Sequence, residues 1–398
     1  MQVKNTRAVR SLTPLYCLHQ AAYFFAIAGL GAFAVTYLTG RGFDAAQTGV
    51  MLALTNVLSC LLQPLIGSYV DRRSRSLLRG IILFCLIAAL GAFASAELLP
   101  LPRLFTGILF IFGSLTFSLS VPLSNSLCAY YSQNGYHIDY GAGSGVGSLA
   151  FSFASLAFGY IIAALGVRAM IVSALAFITL EIVLTLRYPY VEDRTAARMQ
   201  HGHRSLSIPA FCRRYRLFML TMLGVMCLSA CHAMAENYLI QLFERVGGGS
   251  EHGGLSLFLA CTTAAPLLLF FERIQNRTGV VVLMRLSGFF FVVKALLLVF
   301  APSIASICLI ELLQTFTYGF LYPSLYYLVI RRIDPADMAK GQMLASSLYT
   351  LGTAMGNSLG GAAIEYLGLN AMLLLAAGIA AAGTLLINVT VGRADARA

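Results

Sequence analysis

Polar residues in this chain come in short clusters, and the apolar runs between them are long enough to count. At 1.5 Å rise per residue, about 20 apolar residues in helical form cross a hydrocarbon layer. Six such runs occupy 13 to 38, 47 to 70, 77 to 96, 103 to 131, 142 to 165 and 168 to 187. Six more occupy 216 to 240, 253 to 271, 279 to 300, 303 to 330, 341 to 366 and 369 to 391. Each run is continuously apolar rather than alternating, which predicts helices and not the strands of a barrel. The pattern therefore predicts an all-α membrane protein of twelve transmembrane helices. The first run is longer than the core of a signal peptide and has no small-residue cleavage pattern, so it is expected to be a retained span.

The longest interruption is Arg187 to Arg216. It holds Arg187, Arg194, Arg198, Arg204, Arg213, Arg214 and Arg216 against Glu192 and Asp193, with Pro189 and Pro209 interrupting any helix. It predicts three segments: a bundle of six helices over 1–187, a basic linker over 188–215 and a second bundle of six over 216–398. Composition agrees, because 59% hydrophobic residues, 11% charged residues and a mean hydropathy of +0.80 do not describe a water-soluble globule.

Charge placement sets the orientation. With both termini in the cytoplasm, Arg41, Arg103, Arg168 and Arg245 fall outside and Lys294 falls within a helix. The other 22 of the 27 Lys and Arg lie at the cytoplasmic side. This is the positive-inside pattern of a multi-pass protein of the cell (inner) membrane. The net charge of +11 then reflects topology and contact with anionic lipid, with no nucleic-acid partner implied. Nine cysteines without a CxxC or histidines at zinc spacing predict neither disulfides nor a metal site, and no cofactor is expected. No nucleophile constellation or phosphate loop points to an enzyme.

The two apolar blocks repeat one another. A shift of 202 residues places Pro64 on Pro266 and Gly159 on Gly361, and it matches Leu165, Gly166, Ala169 and Met170 with Leu367, Gly368, Ala371 and Met372. A shift of 201 brings Pro122 onto Pro323 and Tyr37-Leu38 onto Tyr238-Leu239. An even number of spans per copy gives both copies the same orientation, as in bundles that rock about a central site. Gly141, Gly143, Gly145 and Gly147 open the fifth span, and Gly352, Gly356 and Gly360 mark the eleventh. Glycines on one helix face permit close backbone contact, expected here between the halves.

With these features in place, the chain resembles the major facilitator superfamily over nearly its whole length. Gly67, Asp71, Arg72 and Arg75 in GSYVDRRSR are similar to the signature loop between its second and third helices, which the resemblance makes a conformational gate. Within the superfamily it resembles the branch of lactose permease and related oligosaccharide and nucleoside proton symporters. The stretches that carry this are YFFAIAGLGAFAVTYLTGRGFDAAQTGVMLAL at 23–54, DYGAGSGVGSLAF at 139–151 and LLQTFTYGFLYP at 312–323. Ser144 and Ser126 stand where that permease carries its sugar-binding arginine and the partner carboxylate. Gln314 and Thr317 stand where it carries a lysine and a histidine. A galactoside clamp and that permease's proton relay are therefore not expected.

Ionisable residues inside a membrane are costly and mark function, which singles out Glu181, Glu236, Lys294 and Glu311. Glu181, in the peripheral sixth span, reads as a packing or interfacial residue. Lys294 and Glu311 lie ~9 Å and ~12 Å from the outer ends of their spans and could pair. Such a pair is either structural or a switch in which Glu311 exchanges its partner for a proton, since desolvation favours the neutral carboxyl and Lys294 the charged one. Glu236, in the cavity-lining seventh span of this fold, is the first candidate for coupling, with a glutamate merely reaching interfacial water as the plain alternative. The cavity helices implied by the resemblance supply Gln20, Tyr23, Ser124, Asn125, Asn237, Gln314, Thr317, Tyr318 and Tyr322. Aromatic, amide and hydroxyl groups of this kind suit a sugar or nucleoside, although some will bond between helices instead.

The function expected is secondary active transport of a small neutral polar solute by alternating access, with proton symport and a monomer. Proton-driven efflux of drugs or metabolites is the alternative, followed by a nontransporting membrane receptor.

Overall fold

The computed structural model describes residues 11–73, 78–189, 191, 207–333 and 337–395. Arg75 lies outside them, and of Gly67, Asp71 and Arg72 only their place near the end of a helix is described. The chain runs through α1 (Thr13–Ile27), a π-helical turn (Ala28–Ala32), α2 (Ala34–Gly40), α3 (Ala45–Arg73), α4 (Leu78–Leu98), α5 (Arg103–Gln133), α6 (Tyr140–Leu165) and α7 (Val167–Arg187). It continues through α8 (Ile208–Arg214), α9 (Arg216–Asn237), α10 (Leu239–Glu244), α11 (Ser250–Leu269), α12 (Phe271–Thr278), α13 (Val280–Val299) and α14 (Ile304–Glu311). A short 3₁₀ turn (Leu312–Thr315) leads to α15 (Tyr318–Arg332), α16 (Met338–Leu367) and α17 (Leu369–Asp395).

Among the described residues, ten helical stretches are long and apolar enough to cross a membrane. The remaining two expected spans are α11, with 20 residues, and α16, with 30. Both are long helices, and α16 carries many glycine, serine and threonine residues among its apolar ones. Large apolar side chains face outward along the bundle, among them Phe84 at 70%, Leu104 at 70% and Phe300 at 77% exposure. Surface of this kind is stable only against lipid, so the protein is a multi-pass membrane protein.

Local chemistry explains where the helices begin and turn. Asp44 Oδ1 accepts from the Gln47 backbone N–H at 2.6 Å, and Asp139 Oδ1 from that of Ala142 at 3.0 Å, which caps the first turns of α3 and α6. Gly166 and Gly368, which coincide under the 202-residue shift, join α6 to α7 and α16 to α17. They have φ of +82° and +85°, a conformation that favours glycine. Each donates back to an isoleucine carbonyl of the preceding helix, Ile162 at 2.9 Å and Ile364 at 3.1 Å.

Among the described residues, the first, seventh and tenth spans are broken. The first unwinds into the π turn at AGLGA, where the glycines offer no side chain to hold a regular helix. The seventh ends at Asn237 and resumes after Tyr238. The tenth leaves α-geometry between Glu311 and Tyr318. There the Thr317 carbonyl accepts the Ser287 hydroxyl of α13 at 2.8 Å. A neighbouring helix thus supplies a partner at the irregularity, as a break inside a membrane requires.

Contact density groups the chain into two units. One comprises Met1–Leu30, Leu61–Ala154 and Ile171–His201, and the other Gly31–Cys60, Ser155–Met170 and Gly202–Ala398. In the first unit Phe93 packs edge-on to Phe110 at 5.8 Å, and Phe25 stacks on Phe177 at 4.4 Å. In the second a large core joins α9, α13, α15, α16 and α17, with Met222, Leu228, Met284, Leu298, Leu325 and Ile387 each no more than 4% exposed.

The glycines of α6 and α16 expected to give close contact between the halves instead make contacts within each repeat. Gly143 and Gly147 lie under the rings of Tyr16 and Phe24, so they seat α6 on α1. Gly352 and Gly356 lie on the backbone of Met226 and Ala230, which seats α16 on α9. These are equivalent helix pairs in the two repeats. Close backbone approaches between first-repeat and second-repeat helices fall to other glycines, all within the second unit. Gly361 meets the Ala45 carbonyl, Gly49 meets the Asn357 carbonyl, and Gly159 and Gly254 meet one another with 3.0 Å from a Cβ position to Cα. For this reason 31–60 and 155–170 group with the later helices.

Candidate functional site

Glu311 and Gln314 flank the start of the break in the tenth span, and both accept from Lys294 of α13. Lys294 Nζ donates to Glu236 Oε1 at 2.7 Å, Glu311 Oε2 at 2.8 Å and Gln314 Oε1 at 2.9 Å. An ammonium has three protons to donate, and these three acceptors use them all. The side chains of Lys294, Glu236 and Glu311 are 3%, 12% and 0% exposed. Three helices therefore deliver their ionisable residues to one buried point.

The charge balance is unequal. Two carboxylates face one ammonium, and Glu311 Oε1 is buried without a hydrogen-bond partner. A fully ionised cluster carries one excess negative charge in a low-dielectric interior, where such a charge is costly. One added proton makes the cluster neutral and gives the carboxyl group a donor.

His232, one turn before Glu236 on α9, connects this cluster to an aromatic row. Its Nδ1 lies 3.9 Å from Glu236 Oε1, and its ring stacks on Tyr318 with centroids 5.2 Å apart. Tyr318 stacks in turn on Tyr322 at 5.3 Å, and Tyr322 meets the edge of Tyr349 at 5.9 Å. Tyr322 is 54% exposed, so the row leads from the buried charges to an accessible face. The spacing of Tyr318 and Tyr322, one helical turn, aligns their rings. His232 and Tyr349 are not among the candidate residues expected from the sequence. The signal for His232 was its position four residues before Glu236; Tyr349 carried none.

The other expected residues are placed differently. Gln20 and Tyr23 are buried in the first unit, where Gln20 Nε2 donates to Tyr16 Oη at 2.7 Å and Tyr23 stacks on Phe117 at 5.4 Å. Asn237 donates to Asn357 Oδ1, which ties α9 to α16. Thr317 is buried and bonds to the Gln314 carbonyl at 3.2 Å. The side chain of Asn125 lies outside the described residues. Glu181 is not interfacial: it is 0% exposed and faces His19.

The sequence pattern of the MFS_1-like family matches residues 16–374. The chain belongs to this family. Among its relatives, an uncharacterized transporter of Bacillus subtilis, YwbF, is 23% identical over 376 residues, covering 90% of this chain and 89% of that protein. A maltose permease of Geobacillus stearothermophilus is 26% identical over 345 residues, covering 85% and 82%. The fold is similar to that of a mutant of the nucleoside transporter NupG, with a TM-score of 0.83, 14% identity and coverage of 96% and 100%. An auto-inhibited peptide transporter of the POT family gives 0.74 at 14% identity, covering 96% of each chain. The fold and the relatives are those of major facilitator transporters, and this family member is a membrane transporter of small molecules.

Proposed function

We propose that the protein is a proton symporter for a small neutral polar solute of sugar or nucleoside type. The observation that carries this reading is the pair of buried carboxylates sharing the single ammonium of Lys294, joined through His232 to the Tyr318–Tyr322 stack. Relatives named for a nucleoside and for maltose support the solute class. In this reading the solute stacks on the tyrosines, and Gln314 offers hydrogen bonds beside them. A proton taken up by the Glu236–Glu311 pair removes the excess charge. The neutral, loaded transporter then changes access, and the empty one returns once the proton has left.

The two bundles proposed are 1–187 and 216–398, tethered by the basic segment 188–215. The arginine distribution supports an inner-membrane location with both termini on the cytoplasmic side. Gly67, Asp71 and Arg72 near the end of α3, together with Arg75, are the residues proposed to latch one conformation.

The test uses purified protein in liposomes with labelled sugars and nucleosides, with and without a pH gradient, inside acidic or inside alkaline. Gradient-driven accumulation of a sugar or nucleoside supports the proposal. Flux of amphipathic dyes against a solute-free background indicates efflux instead, and gradient-insensitive flux of every solute rejects proton coupling.

A further inference from the structure

We propose that His19 and Glu181 form a second proton-binding site, built between α1 and α7 and sharing no residue with the Lys294 cluster. His19 Nε2 lies 3.1 Å from Thr185 Oγ1 and 3.7 Å from Glu181 Oε1, with both ionisable side chains 0% exposed. The Thr185 hydroxyl donates to the Glu181 backbone carbonyl at 2.8 Å. Its hydrogen is thereby committed, so the threonine accepts from His19, which places a hydrogen on Nε2. That leaves His19 Nδ1 and both oxygens of Glu181 buried without a hydrogen-bond partner.

A neutral imidazole beside an ionised carboxylate would leave an uncompensated charge with no donor, which a buried site tolerates poorly. One bound proton removes that charge, whether it resides on the carboxyl group or on the imidazole, and it belongs to the pair rather than to either residue. Among the described residues, the surrounding titratable and charged groups are engaged elsewhere or stand apart from the pair. Tyr188 stands edge-on to His19 at 5.9 Å, and Tyr131 of α5 stacks on Tyr188 at 5.2 Å. Arg79 of α4 donates to the carbonyls of Tyr188 at 2.8 Å and Leu186 at 2.9 Å. On α1 itself Tyr16 accepts from Gln20, and Cys17 is half-buried. At the start of α1, Thr13 meets His137 at 3.5 Å and the Asp139 backbone N–H at 3.0 Å, about 9 Å along the helix from His19.

Packing alone does not call for an ionisable pair at this place. The 202-residue shift carries His19 to Thr221 and Glu181 to Gly383. In the second repeat the equivalent helices, α9 and α17, meet through Thr221 and Thr390 hydroxyls 2.9 Å apart, and Gly383 lies against the Gly224 carbonyl. Two neutral hydroxyls and two glycines join the same helix pair. The first repeat places an acid and a base there instead.

The experiment is a pH titration of the purified full chain, without solute, reading the protonated-carboxyl stretch in the infrared together with proton uptake. A carboxyl band that titrates between about pH 4 and 10, disappears in Glu181→Gln and persists in Glu236→Gln and Glu311→Gln is the expected result. In His19→Gln, which keeps the carboxyl group and guards against misfolding of the first variant, the midpoint of that band moves by about one pH unit or more. Unchanged bands in Glu181→Gln, or an unmoved midpoint in His19→Gln, overturn the proposal. Because no solute takes part, either outcome is independent of the symport reading.

Discussion

Lys294 of α13 and Glu311 at the end of α14 meet with 2.8 Å between Nζ and Oε2, and neither side chain is more than 3% exposed. Buried so completely, each partner is stabilised mainly by the other and by Glu236. Replacing Lys294 with methionine leaves two carboxylates facing each other. The expected cost is about 3–5 kcal/mol, the range for breaking a buried pair. Adding Glu311→Gln to Lys294→Met is expected to recover part of it. Thermal unfolding in detergent measures both, and equal melting of the single and double variants would show that the pair is not an energetic unit.

Removing the proton acceptor without removing the fold separates coupling from transport. Glu311→Gln keeps the shape and a donor but cannot release a proton. In the variant, solute exchange across liposomes is expected to persist while accumulation driven by a pH gradient disappears. The wild-type rate is expected to fall as pH rises, because the protonated, neutral cluster becomes rarer, and Glu311→Gln is expected to lose this dependence. Accumulation retained by Glu311→Gln would leave Glu236 to be tested by the same substitution.

Tyr322 offers the accessible end of the aromatic row. Tyr322→Ala removes the stacking face and is expected to raise KM for the solute about tenfold, equivalent to about 1.4 kcal/mol. Tyr322→Phe keeps the face and is expected to stay within about threefold of wild type. Since the side chain is 54% exposed, neither change is expected to move the melting temperature much. Equal KM for the alanine and phenylalanine variants would remove Tyr322 from the solute site.

Gly356 shows how tightly α16 sits on α9. A Cβ there would meet the Ala230 carbonyl oxygen, with the Ala230 carbonyl carbon and Cα both at 2.9 Å. Backbone cannot move aside as a side chain can, so Gly356→Ala is expected to destabilise by about 1–3 kcal/mol. Gly378→Ala on α17, where a Cβ meets nothing within 4 Å, serves as the control and is expected to lose nothing. Thermal unfolding of the two variants side by side checks the contrast.

Much of the fold was legible along the chain. Run lengths marked the spans, and the repeat predicted paired features that do coincide, such as the helix-ending turns at Gly166 and Gly368. The breaks at 28–32 and 312–317 were not legible as breaks, because apolar and small residues continue through them. The site was legible residue by residue but not as an arrangement. Glu236, Lys294 and Glu311 each stood out as ionisable groups in apolar surroundings, and Lys294 with Glu311 was an expected pair. That Glu236 completes the cluster, and that Glu181 faces His19 rather than an interface, required the helices to be placed side by side.

The sequence by itself determined that this protein lives in a membrane, how many times its helices cross, and which residues are expensive to bury there. Those properties depend on segment length, charge and transfer energy, all of which are local to a stretch of chain. Only the tertiary structure decided which of the expensive residues compensate one another. A membrane helix is apolar on every side, so its sequence carries little periodicity to show which face turns toward a neighbour. Lys294 and Glu236, 58 residues apart, become partners through packing alone.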